Sequence, residues 1–79
     1  MSDIIELDAR NLMCPLPVIR AQDKIKTMRA GERLNVICSD PGALNDIPAW
    51  CRINGHRVLS TQHDDHTISV LVEVGDNID

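Results

Sequence analysis

Polar and apolar positions alternate over residues 4–8, with Ile5 and Leu7 on one face and Glu6 and Asp8 on the other, a spacing that predicts a half-buried strand. After a turn at 9–13 the period lengthens. Val18, Ala21, Ile25 and Met28 recur at helical spacing, widened by Leu16 and Ile19, and predict a helix over 15–28 that Gly31 closes. Alternation returns over 33–39, with Leu34, Val36 and Cys38 facing one way. Ser39-Asp40-Pro41 then reads as a polar cap and a first-position proline, and Leu44, Ile47, Trp50, Cys51 and Ile53 carry helical spacing to Asn54-Gly55. Pro48 falls inside this second helix: either its first turn is irregular or a new cap forms at Asp46, and a kink or break is expected near Ile47. Residues 56–62 and 67–74 are two further strands about the turn His63-Asp64-Asp65-His66.

This order, βαβαββ, has few solutions. The first βαβ unit calls for a right-handed crossover between parallel strands, and the short last connection calls for an antiparallel hairpin. The expected fold is an α/β (α+β) two-layer sandwich, a four-stranded mixed sheet with both helices on one face. Seventy-nine residues make a single domain, 1–79. A chain this short buries about 60 to 65% of its unfolded surface, which argues against a deep substrate cavity and for chemistry at the surface.

Composition narrows the function. The chain is 43% apolar with one aromatic residue, Trp50, so its core is aliphatic. It has no apolar run of the ~18 residues a membrane span requires, and Met1-Ser2-Asp3 lacks the features of a signal peptide; a cytoplasmic protein without membrane contact is expected. Net charge is −4, which argues against direct nucleic-acid binding. Five cations over 20–33 (Arg20, Lys24, Lys26, Arg29, Arg33) nevertheless outnumber two anions there. That run reads either as a solvated helix face or as a docking patch for an acidic partner centred on Arg20 and Lys24.

Three cysteines, Cys14, Cys38 and Cys51, cannot all pair within one chain, and none forms a Cys-x-x-Cys motif. Cys38 falls on the apolar face of its strand and is expected to be a small buried hydrophobe. Cys14 differs. Pro15 disfavours helical geometry before it and suits a first helical position, so Cys14 is expected at the N-cap, and Pro17 is tolerated in the first turn. Of the first three helical positions only Leu16 would keep a free N–H. At the positive end of a helix a thiol pKa falls from about 8.5 into a range of roughly 3.5 to 7.5, and with two donors removed the mild end of that shift is expected. The alternative is a Cys-Pro dipeptide that serves packing alone. His63 and His66 at a hairpin tip make an incomplete ligand set, and neither a metal nor a cofactor is expected.

Leu7-Asp8-Ala9-Arg10, Leu12, Cys14-Pro15-Leu16-Pro17, Gly31-Glu32, Asp40-Pro41 and Asp46-Ile47-Pro48 together resemble the TusA (SirA-like) sulfur carrier family, over nearly the whole chain. Asp46-Ile47-Pro48-Ala49-Trp50-Cys51 is similar to the TusA branch. The resemblance implies a βαβαββ sandwich similar to the C-terminal domain of a bacterial translation initiation factor. It implies that Cys14 carries sulfane sulfur as a persulfide, taken from a cysteine desulfurase or rhodanese-like donor and passed to a downstream acceptor protein. The acceptor's route in such families is tRNA 2-thiouridine synthesis or the oxidation and trafficking of sulfur. Pro15 and Pro17 match the family's stabilising prolines, while Asn11 stands where the family usually has glycine and tolerates a positive φ better than most residues. Arg10 either stabilises the Cys14 anion or is simply solvated. Cys51 matches a cysteine of the TusA branch and is expected to be structural, neither bridging to Cys14 nor resolving its persulfide. The alternative function is a regulatory or protein-binding module that uses the Cys-Pro-x-Pro helix start as a scaffold. A thiol peroxidase ranks behind both, because no His or Thr lies near Cys14 in sequence.

Overall fold

The alternating segments become strands and the helical-period segments become helices, in a computed structural model that describes residues 4–13 and 15–75. The elements are β1 (Ile4–Ala9), α1 (Leu16–Ile25), β2 (Arg33–Cys38), α2 (Ala43–Ile53), β3 (Arg57–Asp64) and β4 (Thr67–Glu73). One sheet holds all four strands in the order β1-β2-β4-β3. β1 runs parallel to β2, and the β2–β4 and β4–β3 pairs are antiparallel. The two central strands therefore come from the middle and the end of the chain.

Register explains the core. Ile5 pairs with Leu34 and Leu34 with Val72; Leu7 pairs with Val36 and Val36 with Val70; Ala9 pairs with Cys38 and Cys38 with Ile68. Each row lies on one face of the pleat. Leu34, Val36, Cys38, Ile68, Val70 and Val72 are all buried on that face. Against it α1 sets Pro17, Ala21 and Ile25, at four-residue spacing, and α2 sets Ala43, Ile47 and Cys51. These two short stripes close the second layer.

The structure corrects several boundaries. The helix expected over 15–28 is confined to Leu16–Ile25. Beyond Ile25 the bonding tightens: Thr27 and Met28 donate their N–H groups to the Lys24 and Ile25 carbonyls at 3.0 and 2.9 Å, and the Thr27 hydroxyl also takes the Lys24 carbonyl at 2.7 Å. Gly31 is not the helix cap. It sits at φ 92° and donates its N–H to the Val74 carbonyl at 2.8 Å, while Val74 donates to the Glu32 carbonyl at 2.8 Å, so this segment extends the β2–β4 ladder by one step. Leu16 and Ile19, expected to widen the core stripe, are 46% and 45% exposed. They lie one and two residues away from the Pro17–Ala21–Ile25 line and turn outwards.

In α2 the cap is Gly42, and Ser39-Asp40-Pro41 forms the turn before it. The Asp40 carboxylate accepts the Gly42 N–H at 3.0 Å and the Asp40 carbonyl accepts the Ala43 N–H at 3.0 Å. No break occurs at Ile47. Asp46 donates its N–H to the Gly42 carbonyl at 3.0 Å, as a residue inside a helix does, and Pro48 lies within one continuous helix. Burial of Ile47 and Cys51 on the sheet outweighs the hydrogen bond that Pro48 cannot donate to Leu44. Ile53, expected on the apolar face, is 82% exposed, because it is two residues round the helix from Cys51. At the far end the expectation holds: Gly55 is left-handed at φ 82° and His56 donates its N–H to the Cys51 carbonyl at 2.8 Å, which is a Schellman closure.

The last hairpin is tighter than its sequence suggests. β3 begins at Arg57 and runs through Asp64, which pairs with Thr67, leaving Asp65 and His66 as the turn, with Asp65 at φ 37°. His63 is thus a strand residue opposite Ile68. A register shift between Val58 and Ser60 bulges this edge strand, and beyond Val58 its side chains are exposed.

Candidate functional site

The segment joining β1 to α1 is built from short, specific contacts. Ala9 is buried opposite Cys38, and the chain then reverses through Asn11, whose φ is 66°. Asparagine is among the few residues that accept this left-handed conformation, so the turn forms without a glycine. The Asn11 N–H is donated to the Ser39 hydroxyl at 2.8 Å, which ties the approach to the residue that follows β2. Sequence reading missed Ser39. Its only signal is a polar residue at the end of an otherwise apolar strand.

Arg10 has a definite partner. Its Nε and Nη2 reach the two Asp8 carboxylate oxygens at 2.9 and 3.0 Å, and its backbone N–H reaches Oδ1 at 3.1 Å. These hydrogen bonds hold the Asp8 carboxyl down at a pKa of about 2, while the carboxylate raises that of Arg10. Arg10 is thus an exposed side chain held bidentate on the Asp8 carboxylate. Its charge is already matched by Asp8.

Cys14 lies outside the described residues, and the site is therefore defined by what flanks it. On one side Met13 is 75% exposed; on the other Pro15 is exposed and occupies the N-cap at φ −94° and ψ 16°, with Leu16 and Pro17 at the first two helical positions. The expectation that Pro15 opens the helix and that Leu16 keeps a free N–H is corrected. Leu16 donates to the Met13 carbonyl at 2.8 Å, and Val18 and Ile19 both donate to the Pro15 carbonyl at 3.1 and 3.2 Å. Pro17 has no N–H to give. The first turn of α1 therefore offers its dipole to a nearby anion and no free backbone donor. Pro17 is buried and anchors this turn to the core, whereas Leu16 leaves its side chain in solvent.

The other two cysteines are enclosed. Cys38 and Cys51 are free thiols inside the core, and burial raises each pKa to about 11, with Asp40 adding to the effect at Cys38. At neutral pH both are inert as thiolate nucleophiles. Arg20, exposed, and Lys24, half-buried, follow Leu16 at four-residue intervals, so that the helix start and these cations share one side of α1. Ile19 adds an apolar neighbour. Arg29 lies beyond the end of α1, and Arg33 is half-buried at the start of β2 with its Nε unpartnered.

Comparison with known proteins covers almost all of this architecture. A family model described as Sulfurtransferase TusA matches residues 5–74. The chain is 34% identical over 68 residues to the sulfur carrier protein TusA of Allochromatium vinosum, a match that spans 86% of this chain and 90% of that one. It is 37% identical over 67 residues to a provisionally named sulfur carrier protein of Neisseria meningitidis, with 85% and 90% of the two chains covered. YrkF of Bacillus subtilis, also provisionally named a sulfur carrier protein, is 32% identical over 75 residues, and there the chain spans 95% of itself but 40% of the relative. The crystal structure of a SirA-like protein from Desulfitobacterium hafniense superposes with a TM-score of 0.79 at 24% identity, over 91% of this chain and 99% of that one, and so shares its fold.

Proposed function

The chain belongs to the TusA family, and from that premise we propose that it acts as one carrier domain that holds sulfane sulfur as a persulfide on Cys14 and relays it between proteins. The observation that carries this reading is the contrast between thiols. Cys38 and Cys51 are walled into the core with pKa values of about 11, whereas the residues on either side of Cys14, Met13 and Pro15, are exposed. Relatives named as sulfur carriers support the same assignment.

The chemistry needs little more than one accessible sulfur. The Cys14 thiolate attacks the terminal sulfur of a donor persulfide; a new S–S bond forms as the donor's own S–S bond breaks, and the donor leaves as a thiolate. An acceptor thiolate then attacks the terminal sulfur of Cys14-S-SH and releases the Cys14 thiolate. Neither step requires an external oxidant or a resident cofactor. Because two different proteins must reach one sulfur, a protruding helix start suits the task better than a cavity. Leu16, Ile19, Arg20 and Lys24 form the adjoining surface for the donor, a cysteine desulfurase or a rhodanese-like protein, and for the acceptor. Pro15 and Pro17 stiffen the turn, and the Asp8–Arg10 pair and the Asn11–Ser39 bond fix its approach. The working compartment is the cytoplasm, with tRNA thiolation or sulfur oxidation as the destination; among the described residues no helix is long and apolar enough to cross a membrane.

Radiolabelled cysteine, a cysteine desulfurase and the wild-type chain should together give a labelled, reductant-sensitive band. Cys14→Ser should lose the label, while Cys38→Ser and Cys51→Ser keep it. No label on the wild-type chain would favour the regulatory-module reading, and label retained in Cys14→Ser would place the sulfur on another residue.

A further inference from the structure

The turn that carries the chain from β1 towards Cys14 is held at each residue by a different contact. Ala9 is buried in the last β1–β2 pairing, opposite Cys38. Arg10 gives its N–H to the Asp8 carboxylate at 3.1 Å, a bond within the segment itself. Asn11 stands at φ 66°. A residue with a side chain is strained in that region and stays there when its surroundings over-determine it. The determining contact comes from another part of the fold: Ser39, in the turn that follows β2, accepts the Asn11 N–H on its hydroxyl at 2.8 Å, across 28 residues of sequence. Leu12 then packs against the core, and the Met13 carbonyl accepts the Leu16 N–H at 2.8 Å. Ala9 and Leu12 are held by apolar packing and Met13 by a backbone bond. The hold on Asn11 is a single hydroxyl on a half-buried side chain.

We propose that Ser39 is a positioning residue for Cys14, its hydroxyl fixing the left-handed turn at Asn11 and through it the approach of the sulfur to the start of α1. The inference rests on the reading of Cys14 as the reactive thiol and adds to it a determinant on a distant segment. Asn11 is exposed, so without the Ser39 oxygen its N–H can be satisfied by water in other backbone conformations, and the strained one loses its advantage. Leu12 and Met13 would then lead into Cys14 from a range of directions. A thiolate gains from the positive end of a helix within about one turn of it, so a sulfur that is held there less of the time is less often the nucleophile.

Ser39→Ala removes the acceptor, and Ser39→Thr keeps it. Hydrogen exchange at the Asn11 amide, followed by NMR, should quicken about fivefold or more in Ser39→Ala and stay near the wild-type rate in Ser39→Thr. Alkylation by iodoacetamide at pH 7 reads the sulfur itself, since Cys38 and Cys51 have pKa values of about 11. The Cys14 rate should fall about threefold or more in Ser39→Ala and recover in Ser39→Thr. Thr27→Val is the control for general loosening: it removes another hydroxyl-to-backbone bond, of 2.7 Å, beyond the other end of α1, and should leave the Cys14 rate unchanged. Loading from a cysteine desulfurase should slow in parallel with alkylation. A wild-type chain that takes no sulfur, but whose alkylation still depends on Ser39, would end the carrier reading and leave this inference standing. The inference is overturned if Cys14 in Ser39→Ala is alkylated at the wild-type rate, if Ser39→Thr is as slow as Ser39→Ala, or if Thr27→Val slows Cys14 to the same extent.

Discussion

Single residues here do work that their immediate neighbours conceal. Asn11 takes φ 66° where glycine is usual, and its tolerance could be anticipated from its short polar side chain, but the Ser39 hydroxyl that receives its N–H lies 28 residues away and no local pattern signals it. Asp8 and Arg10 were legible as motif residues; their bidentate pairing was not, because it depends on the turn that brings i and i+2 to the same side. His56 is the clearest case: it reads as the first residue of a strand, yet it closes α2, accepts from Gly75 and stacks on Trp50. Its burial lowers its pKa below the ordinary value of 6.5. Above pH 6.5 the ring is neutral in both folded and unfolded chains and its contribution to stability is complete. As pH falls below 6.5 the unfolded chain takes up the proton first, so stability declines, levelling only once the folded ring also protonates. The urea midpoint should therefore drop between pH 7 and pH 5.5, and His56→Gln should flatten that dependence; an equal slope in the variant would remove His56 from the acid response.

At the scale of elements, periodicity identified every helix and strand, while their ends were set by interactions that periodicity does not contain. α1 stops at Ile25 because the Lys24 carbonyl is taken by Thr27, and β3 reaches Asp64 because its pairing with β4 continues past the point where its own side chains leave the core. Pro48 was expected to break α2 and does not. With Ile47 and Cys51 both buried, packing holds the helix over a missing bond to the Leu44 carbonyl. Pro48→Ala restores that donor at a half-buried position. It should stabilise the fold by roughly 1 to 3 kcal/mol, the helix-interior penalty of proline less the entropy that proline removes from the unfolded chain. A rise in the thermal midpoint checks this, and an unchanged or lower midpoint would mean that the ring's own packing matters more than the bond.

For the molecule as a whole, a mixed sheet with a parallel first pair and an antiparallel last hairpin followed from βαβαββ and two connection lengths, whereas the order β1-β2-β4-β3, with β4 paired to β2, came from the structure. The surface was less legible, since helical spacing alone assigned Leu16 and Ile19 to the core and they are exposed beside the site. With Arg20 and Lys24 along the same helix, the site adjoins an apolar and basic margin on a chain of net charge −4. If donors dock there, Arg20→Glu with Lys24→Glu should slow persulfide transfer severalfold, and salt should slow the wild type but hardly the variant; equal rates at every salt concentration would leave these cations as a solvated face. The proposed carrier role rests on one sulfur. Load the chain with a cysteine desulfurase and L-cysteine, digest it without reductant and map the peptides by mass spectrometry. One added sulfur atom on the Cys14 peptide, and none on the peptides holding Cys38 or Cys51, is the expected result; added sulfur on Cys51, or a Cys14→Ser chain that loads as fully as the wild type, would contradict it.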